Sequence, residues 1–370
     1  MKAELTEDIS GLNFLEPEWN DLLSRSKVDT IFLTWEWIHS WFEVVGETVK
    51  PFIVSVRGSD RRLLGIAPFY IVHYRLVGVV PYKVLRFAGD YASGMDYPDW
   101  IVDQESEGAV TTAIVELLAD VRKRWDCIWM SNVSGWTGAE ERILKTCREA
   151  GFYCHTRPRV FAYVDLPEKM ESYLKMLSGN RRQQLARQTR KILGRKGASN
   201  TKVVDTHQLP RFLDYLFDLH NRRWAVLGKK GTFERKPNEA RFYREFTPRA
   251  FDKGWLRLYG LEKDGELKAV QIGYVYNRIY FQIQEGFDPD YIEGAGNVLR
   301  AKVIEDCIEE GVKTYDFLGE MTEHKRRWLS KERTGFDFFI GRKCAKNTLL
   351  FLKEVWPSGK YLRPVVLPGG

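Results

Sequence analysis

The chain has 370 residues, 44% of them hydrophobic, 29% charged and 14% aromatic, a balance that excludes disordered and fibrous classes. Its 57 Lys and Arg stand against 50 Asp and Glu, and the resulting +7 suits an anionic ligand without demanding nucleic acid. The start, M-K-A-E-L-T-E-D, lacks the basic and apolar regions of a signal peptide, and no apolar run reaches the ~18 residues of a membrane span. Five cysteines without a C-x-x-C pair and six scattered histidines give neither a disulfide framework nor a metal site, so a reducing cytoplasm is expected.

In chain order, Trp35 to Phe42 reads as an aromatic helix, and 51–72 as two apolar strands joined by a polar turn at Gly58 to Arg62. The loop from Gly89 to Trp100 sets Asp90, Asp96 and Asp99 among aromatics, a composition that suits a sugar or amine cleft as well as a solvated turn. A helix from about Ala109 to Lys123 then leads to a strand at Cys127 to Met130. Beyond Pro158 to Pro167 the same order recurs. Phe212 to Trp224 has helical spacing, 255–276 is a hairpin turning at Lys263-Asp264-Gly265, and a helix from about Asn297 to Glu309 leads to a strand at Lys313 to Leu318. The expected architecture is therefore α/β with mixed sheets: one domain at 1–164, a second copy at 165–345, and a tail at 346–370. The tail holds an apolar stretch, Leu349 to Trp356, and a Pro/Gly-rich end expected to be mobile.

Two segments stand outside the repeat or carry its chemistry. Residues 179–202 contain eight basic residues and no acidic one, on a helix that brings Arg187, Arg190 and Lys191 together. Without aromatics for base stacking, this run reads as a solvated face or a phosphate contact rather than a single-strand reader. Further on, Y-I-E-G-A-G-N-V-L-R places Gly294 and Gly296 just before a helix, so that the amides of Asn297 and Val298 point beyond its start. That pattern fits a pyrophosphate cradle or a plain turn; it is neither a Rossmann fingerprint nor a P-loop. Asp316 lies in an apolar strand, where it must be paired, solvated at the strand end or protonated, and His324, Lys325, Arg326 and Arg327 follow beside Trp328. His220, Arg223 and Trp224 share a helix face, either packing or reaching a cleft, and alternation puts Gln282 and Gln284 on one strand face near Gln271.

The A-G-N-V-L turn, the D-F-L-G strand with H-K-R-R-W downstream, the T-W-E-W-I-H-S-W-F helix and Leu64-Gly65-Ile66-Ala67-Pro68 together resemble the Fem and CelD-like group of GNAT acyltransferases. His324 stands where the group usually has Tyr, and Ala295 where it has Pro. The resemblance implies two tandem GNAT-like domains packed around a shared cleft, and acyl-CoA-dependent N-acyl transfer, acetyl-CoA first, to an amine in polysaccharide or cell-envelope biosynthesis. It implies no metal, no nucleic acid, and an association with membrane-bound polysaccharide machinery that stays peripheral. Carried onto this sequence, Lys325 is the expected anchor for an anionic group, Asp316 orients Lys325 or accepts the amine proton, and His324 is an alternative base. Gly294, Gly296, Asn297 and Val298 would hold the donor, and Arg223, Trp224, Gln282, Gln284 and Trp328 the substrate. On that reading Lys325→Ala or Asp316→Asn lowers turnover by ~10²–10³ in a folded protein. The alternatives are a Fem-like transferase using aminoacyl-tRNA, although 179–202 is too short for that group's coiled-coil arm, and a non-catalytic binding protein.

Overall fold

A computed structural model describes residues 1–352 and 362–364. The chain divides into two compact units, Met1–Arg159 with Thr334–Gly370, and Val160–Arg333.

Unit 1 begins with β1 (Lys2–Thr6), α1 (Ile9–Asn13), α2 (Glu16–Ser24) and α3 (Trp35–Val45), whose N-cap Thr34 accepts a hydrogen bond from the Trp37 amide. Trp19, Trp37 and Trp41 on these helices are fully buried, which is why the aromatic run forms core rather than a ligand face. Next come β2 (Lys50–Arg57), β3 (Leu63–Leu76) and β4 (Val80–Phe87), then β5 (Ile101–Val102), α4 (Glu107–Asp120), β6 (Cys127–Ser134), α5 (Lys145–Glu149) and the first part of β7 (Tyr153–Asp165). Strands β1 to β4 are antiparallel neighbours, whereas β4 and β6 are parallel and pair only at Val84, Leu85 and Arg86 with Cys127, Ile128 and Trp129.

Past that point the chain fills its own opening. The Tyr97 amide donates to the Asn132 carbonyl at 3.0 Å, and the Asn132 side-chain amide donates to Asp96 at 2.6 Å. The three carboxylates of this loop are spoken for. Asp90 accepts from Tyr70 and Arg86, Asp96 from Asn132, and Asp99, wholly buried, pairs with Arg142. The Gly89 to Trp100 loop is therefore a buried plug, not a substrate cleft.

Unit 2 takes the end of β7, then α6 (Met170–Met176), α7 (Gly179–Leu193), β8 (Ala198–Lys202), α8 (Leu209–Val226), α9 (Thr232–Arg235), α10 (Pro237–Asp252), β9 (Leu256–Lys263), β10 (Glu266–Tyr276), β11 (Ile279–Phe287), α11 (Ala295–Glu309), β12 (Thr314–Glu320) and α12 (Glu323–Arg326). Its sheet runs β7, β12, β11, β10, β9, β8. The basic segment is α7, which buries Arg181, Leu185, Gln188 and Ile192 at helical spacing and leaves Arg187 and Lys191 exposed. Tyr173, Val303, Ile304, Tyr315 and Trp328 sit at the centre of the core.

Both predicted hairpins form, β2–β3 and β9–β10. The expected second domain ended at 345, but Thr334 onward belongs to unit 1. The physical reason is the register of β13 (Lys331–Gly341), whose Gly335–Gly341 stretch pairs antiparallel with β6. The chain continues through α13 (Ala345–Leu352) and β14 (Leu362–Pro364). Much of the Leu349 to Trp356 stretch and the Pro/Gly-rich end lies outside the described residues.

Candidate active site

Strands β11 and β12 are parallel and pair only at Ile279, Tyr280 and Phe281 with Thr314, Tyr315 and Asp316; beyond these residues they part. The parting leaves one edge of β11 without a strand partner among the described residues, and α11 begins at its mouth. There a cavity of about 330 Å³ is lined by Arg223, Glu285, Gly294, Gly296, Asn297, Arg300 and His324 among others. That volume falls within the range of small-molecule pockets, roughly 300–1,000 Å³.

A bulge in β11 decides which side chains meet inside unit 2. Ile272 pairs with Gln284 and the next residue, Gly273, with Gln282, so Ile283 is extra and the two glutamines lie on opposite faces. The expectation that Gln282 and Gln284 share a face is corrected by this insertion, which strict alternation does not foresee. Gln282 and Glu285 now share the face of Gln271. Gln271 donates to Tyr315 at 2.8 Å, Tyr315 donates to Gln282 at 2.8 Å, and Gln282 donates to Glu285 at 3.3 Å. Gln284 instead accepts from the Glu285 amide.

Glu285 also pairs with Arg300 and, at 3.3 Å, with Arg223. Burial alone would raise its carboxyl; the charges of Arg300 and then Arg223 outweigh it and hold the group below the usual carboxylate range. His324 meets Arg300 at 3.2 Å through Nε2. Partial burial and the Arg300 charge push the imidazole down to about 4, so it is neutral at pH 7 with Nε2 as the acceptor. His220 is a clamp on this strand. Its Nδ1 faces the Glu285 carbonyl at 3.1 Å, and its Nε2 accepts from the Thr232 amide at 3.2 Å. Gly286 lets α8 approach, since a Cβ there would lie 2.7 Å from the His220 nitrogen.

The glycine turn forms as a left-handed cap. Gly294 has φ of 99°, and a Cβ would stand 2.4 Å from the Gln188 side chain. Gly294→Ala is therefore expected to lower stability by about 1–3 kcal/mol and to disturb the cavity, measured as a lower unfolding midpoint in urea. The amide expected free at Val298 is not free, because it closes onto the Gly294 carbonyl at 3.0 Å. Among the described residues, the first-turn amides with no backbone acceptor are those of Gly296 and Asn297. Asn297 accepts from Arg181 at 3.2 Å and donates to Gln188 at 3.3 Å.

Other expected residues sit elsewhere. Asp316 is 0% exposed, pairs with Arg333 and accepts from the Leu318 amide at 2.9 Å, so Arg333 takes the place expected of Lys325. Lys325 donates to the carbonyls of Leu318 and Glu320, holding the end of β12, and does not line the cavity. Trp328 is 0% exposed and does not line the cavity; Arg181 and Arg300 lie over its ring at 4.6 and 5.4 Å, so it serves as a platform for guanidinium groups. Trp224 is half-buried on α8 and does not line the cavity either. Glu285 and Arg300 were missed by the sequence reading. Their signals were a charged residue within a predicted strand and an arginine on the apolar stripe of α11, between Leu299 and Val303. Among the described residues no cluster of three or more His, Cys, Asp or Glu is placed to hold a metal, and no helix is long and apolar enough to cross a membrane.

A larger, mostly apolar cavity of about 840 Å³ lies along α6, α7 and α11, lined by Met170, Leu185, Leu193, Val298 and Ala301 among others. It takes in Val298 but none of the polar network.

Parted parallel strands with a helix starting at the mouth also occur in proteins of known fold. Residues 179–326, all within unit 2, match the acetyltransferase (GNAT) domain family. FemX matches over 96% of this chain and 100% of its own, with a TM-score of 0.60 and 11% identity. A tandem GNAT protein from the clavulanic acid biosynthesis pathway matches over 92% and 98%, at TM-score 0.51 and 10% identity. The C-terminal domain of a putative lysylphosphatidylglycerol synthetase from Agrobacterium fabrum matches over 93% and 96%, at 0.52 and 13%. No curated protein matches the chain. Residues 179–326 of unit 2 thus match an acetyltransferase (GNAT) domain, and the fold of the chain is similar to that of FemX and of the tandem GNAT protein.

Proposed function

We propose that unit 2 transfers an acyl group from a thioester, acetyl-CoA or a longer acyl-CoA, to an amine. The observation that carries this reading is Glu285, an ionised carboxylate held by two arginines on the parted strand, facing the cavity at the start of α11. The amine nitrogen attacks the thioester carbonyl, whose developing oxyanion is met by backbone amides along the open edge of β11. Once bonded to carbon the nitrogen is cationic and acidic, so a carboxylate of low pKa suffices to take its proton. The C–S bond then breaks, and the thiolate leaves and is protonated. The donor's phosphates would lie at the amides of Gly296 and Asn297, where the α11 dipole favours an anion. An acceptor from cell-envelope or polysaccharide biosynthesis remains the substrate class implied by the family resemblance.

Titration calorimetry with acetyl-CoA and longer acyl-CoAs tests the donor. One site per chain is expected, because Asp96 and Tyr97 occupy the corresponding opening in unit 1. If no acyl-CoA binds, an aminoacyl-tRNA donor becomes the better reading; two equal sites would mean that the unit 1 plug opens.

A further inference from the structure

In unit 2 Arg300 and Arg223 share one carboxylate, and a third arginine, Arg181, lies near Arg300. Glu285 balances Arg300 and Arg223 together. Arg181 has only neutral partners, Gln184 at 2.8 Å and Asn297 at 3.2 Å, and among the described residues no carboxylate comes within ion-pair distance of it. Yet Arg181 is only 8% exposed and Arg300 only 2%, both guanidinium groups lie over Trp328, and the Nε of each lacks a hydrogen-bond partner. A buried guanidinium without a counter-ion is costly, and two sharing one platform repel each other. Burial and the Arg300 charge together lower the Arg181 pKa, as such an excess requires. Arg300 and Asn297 line the cavity beside the first turn of α11, and Arg181, which does not line it, lies directly behind Asn297, to which it donates.

We propose that Arg181 and Arg300, on their Trp328 platform beside Asn297, form a receiving site for a phosphate or similar anionic group of a ligand. A planar fork of donors suits such a group, and its negative charge would complete the cluster. Arg181 thereby becomes a binding residue supplied by α7, from the segment that the sequence presented only as a basic face. The two sources of such an anion are the donor's pyrophosphate and an anionic group on the acceptor. The inference rests on the cavity assigned above. An inorganic probe keeps its failure distinct from failure of the acyl-transfer reading, since that probe needs neither a thioester nor an amine.

The experiment titrates inorganic pyrophosphate into the full chain, into Arg181→Gln and into Arg187→Gln, an exposed arginine of the same helix with the same loss of charge. Pyrophosphate is expected to bind the wild type, to bind Arg187→Gln equally, and to bind Arg181→Gln at least tenfold more weakly. Should Arg181→Gln fail to fold, Arg181→Lys replaces it; retaining charge but not the fork, it is expected to show a smaller loss. No binding to the wild type, or equal binding by the Arg181 variant used, overturns the proposal. Acetyl-CoA and phosphate-free acetyl-pantetheine then identify the source. A loss in Arg181→Gln for acetyl-CoA alone assigns the anion to the donor, whereas unchanged acetyl-CoA binding beside weakened pyrophosphate binding assigns it to the acceptor.

Discussion

Replacing Glu285 by Gln is expected to lower turnover per folded molecule by about 10²–10³ and, because Arg300 loses its buried counter-ion, to lower the unfolding midpoint as well. Glutamine keeps the volume and the hydrogen bonds to Gln282 and Arg300 but cannot take a proton. Because Arg300 and Arg223 hold the carboxyl below its usual range, it is ionised throughout the neutral region. The wild-type rate should therefore rise with pH only as the acceptor amine loses its proton, with the limb due to Glu285 confined to acid below its ordinary pKa of ~4.3. Thiol release from acyl-CoA across a panel of amines, followed from pH 5 to 9 on the order of one unit per step, checks both points. A wild-type rate in Glu285→Gln would return the acid–base role to His324, whose neutral ring is the next acceptor at the cavity.

Asp316→Ala is expected to destabilise unit 2 by about 3–5 kcal/mol, since it leaves Arg333 without its buried counter-ion. The Leu318 amide loses its acceptor in the same change. Urea unfolding should show a lower midpoint, and activity should fall only as far as the folded fraction does. The family resemblance implied the reverse, a large loss of turnover in a stable protein. If Asp316→Ala unfolds like wild type while turnover drops a hundredfold, on the order of one transition-state contact, the carboxylate belongs to the chemistry after all.

How much of this was legible depends on the range of the interaction concerned. The hairpins at 51–72 and 255–276 announce themselves because strand alternation and turn residues are local, as is the glycine needed where φ is positive at Gly294. Helical spacing likewise brought His220 and Arg223 onto one face, and both reach β11. The bulge at Ile283 has no local signature, and one inserted residue turned Gln284 away while bringing Glu285 into line with Gln282. Asp316 was legible as an acid that must be paired, but its partner could not be read from sequence, and the nearby Lys325 was a natural choice.

The sequence by itself determined the repeated order of elements, the left-handed turn opening α11 and the basic character of α7, because backbone conformation and amphipathic period are set by neighbours along the chain. Tertiary structure alone decided which charges meet. It gave Asp316 to Arg333, Glu285 to Arg300 and Arg223, and left Arg181 over Trp328 without an acid among the described residues, since ion pairing joins residues far apart in sequence, where loop closure and packing, not spacing, fix the distance.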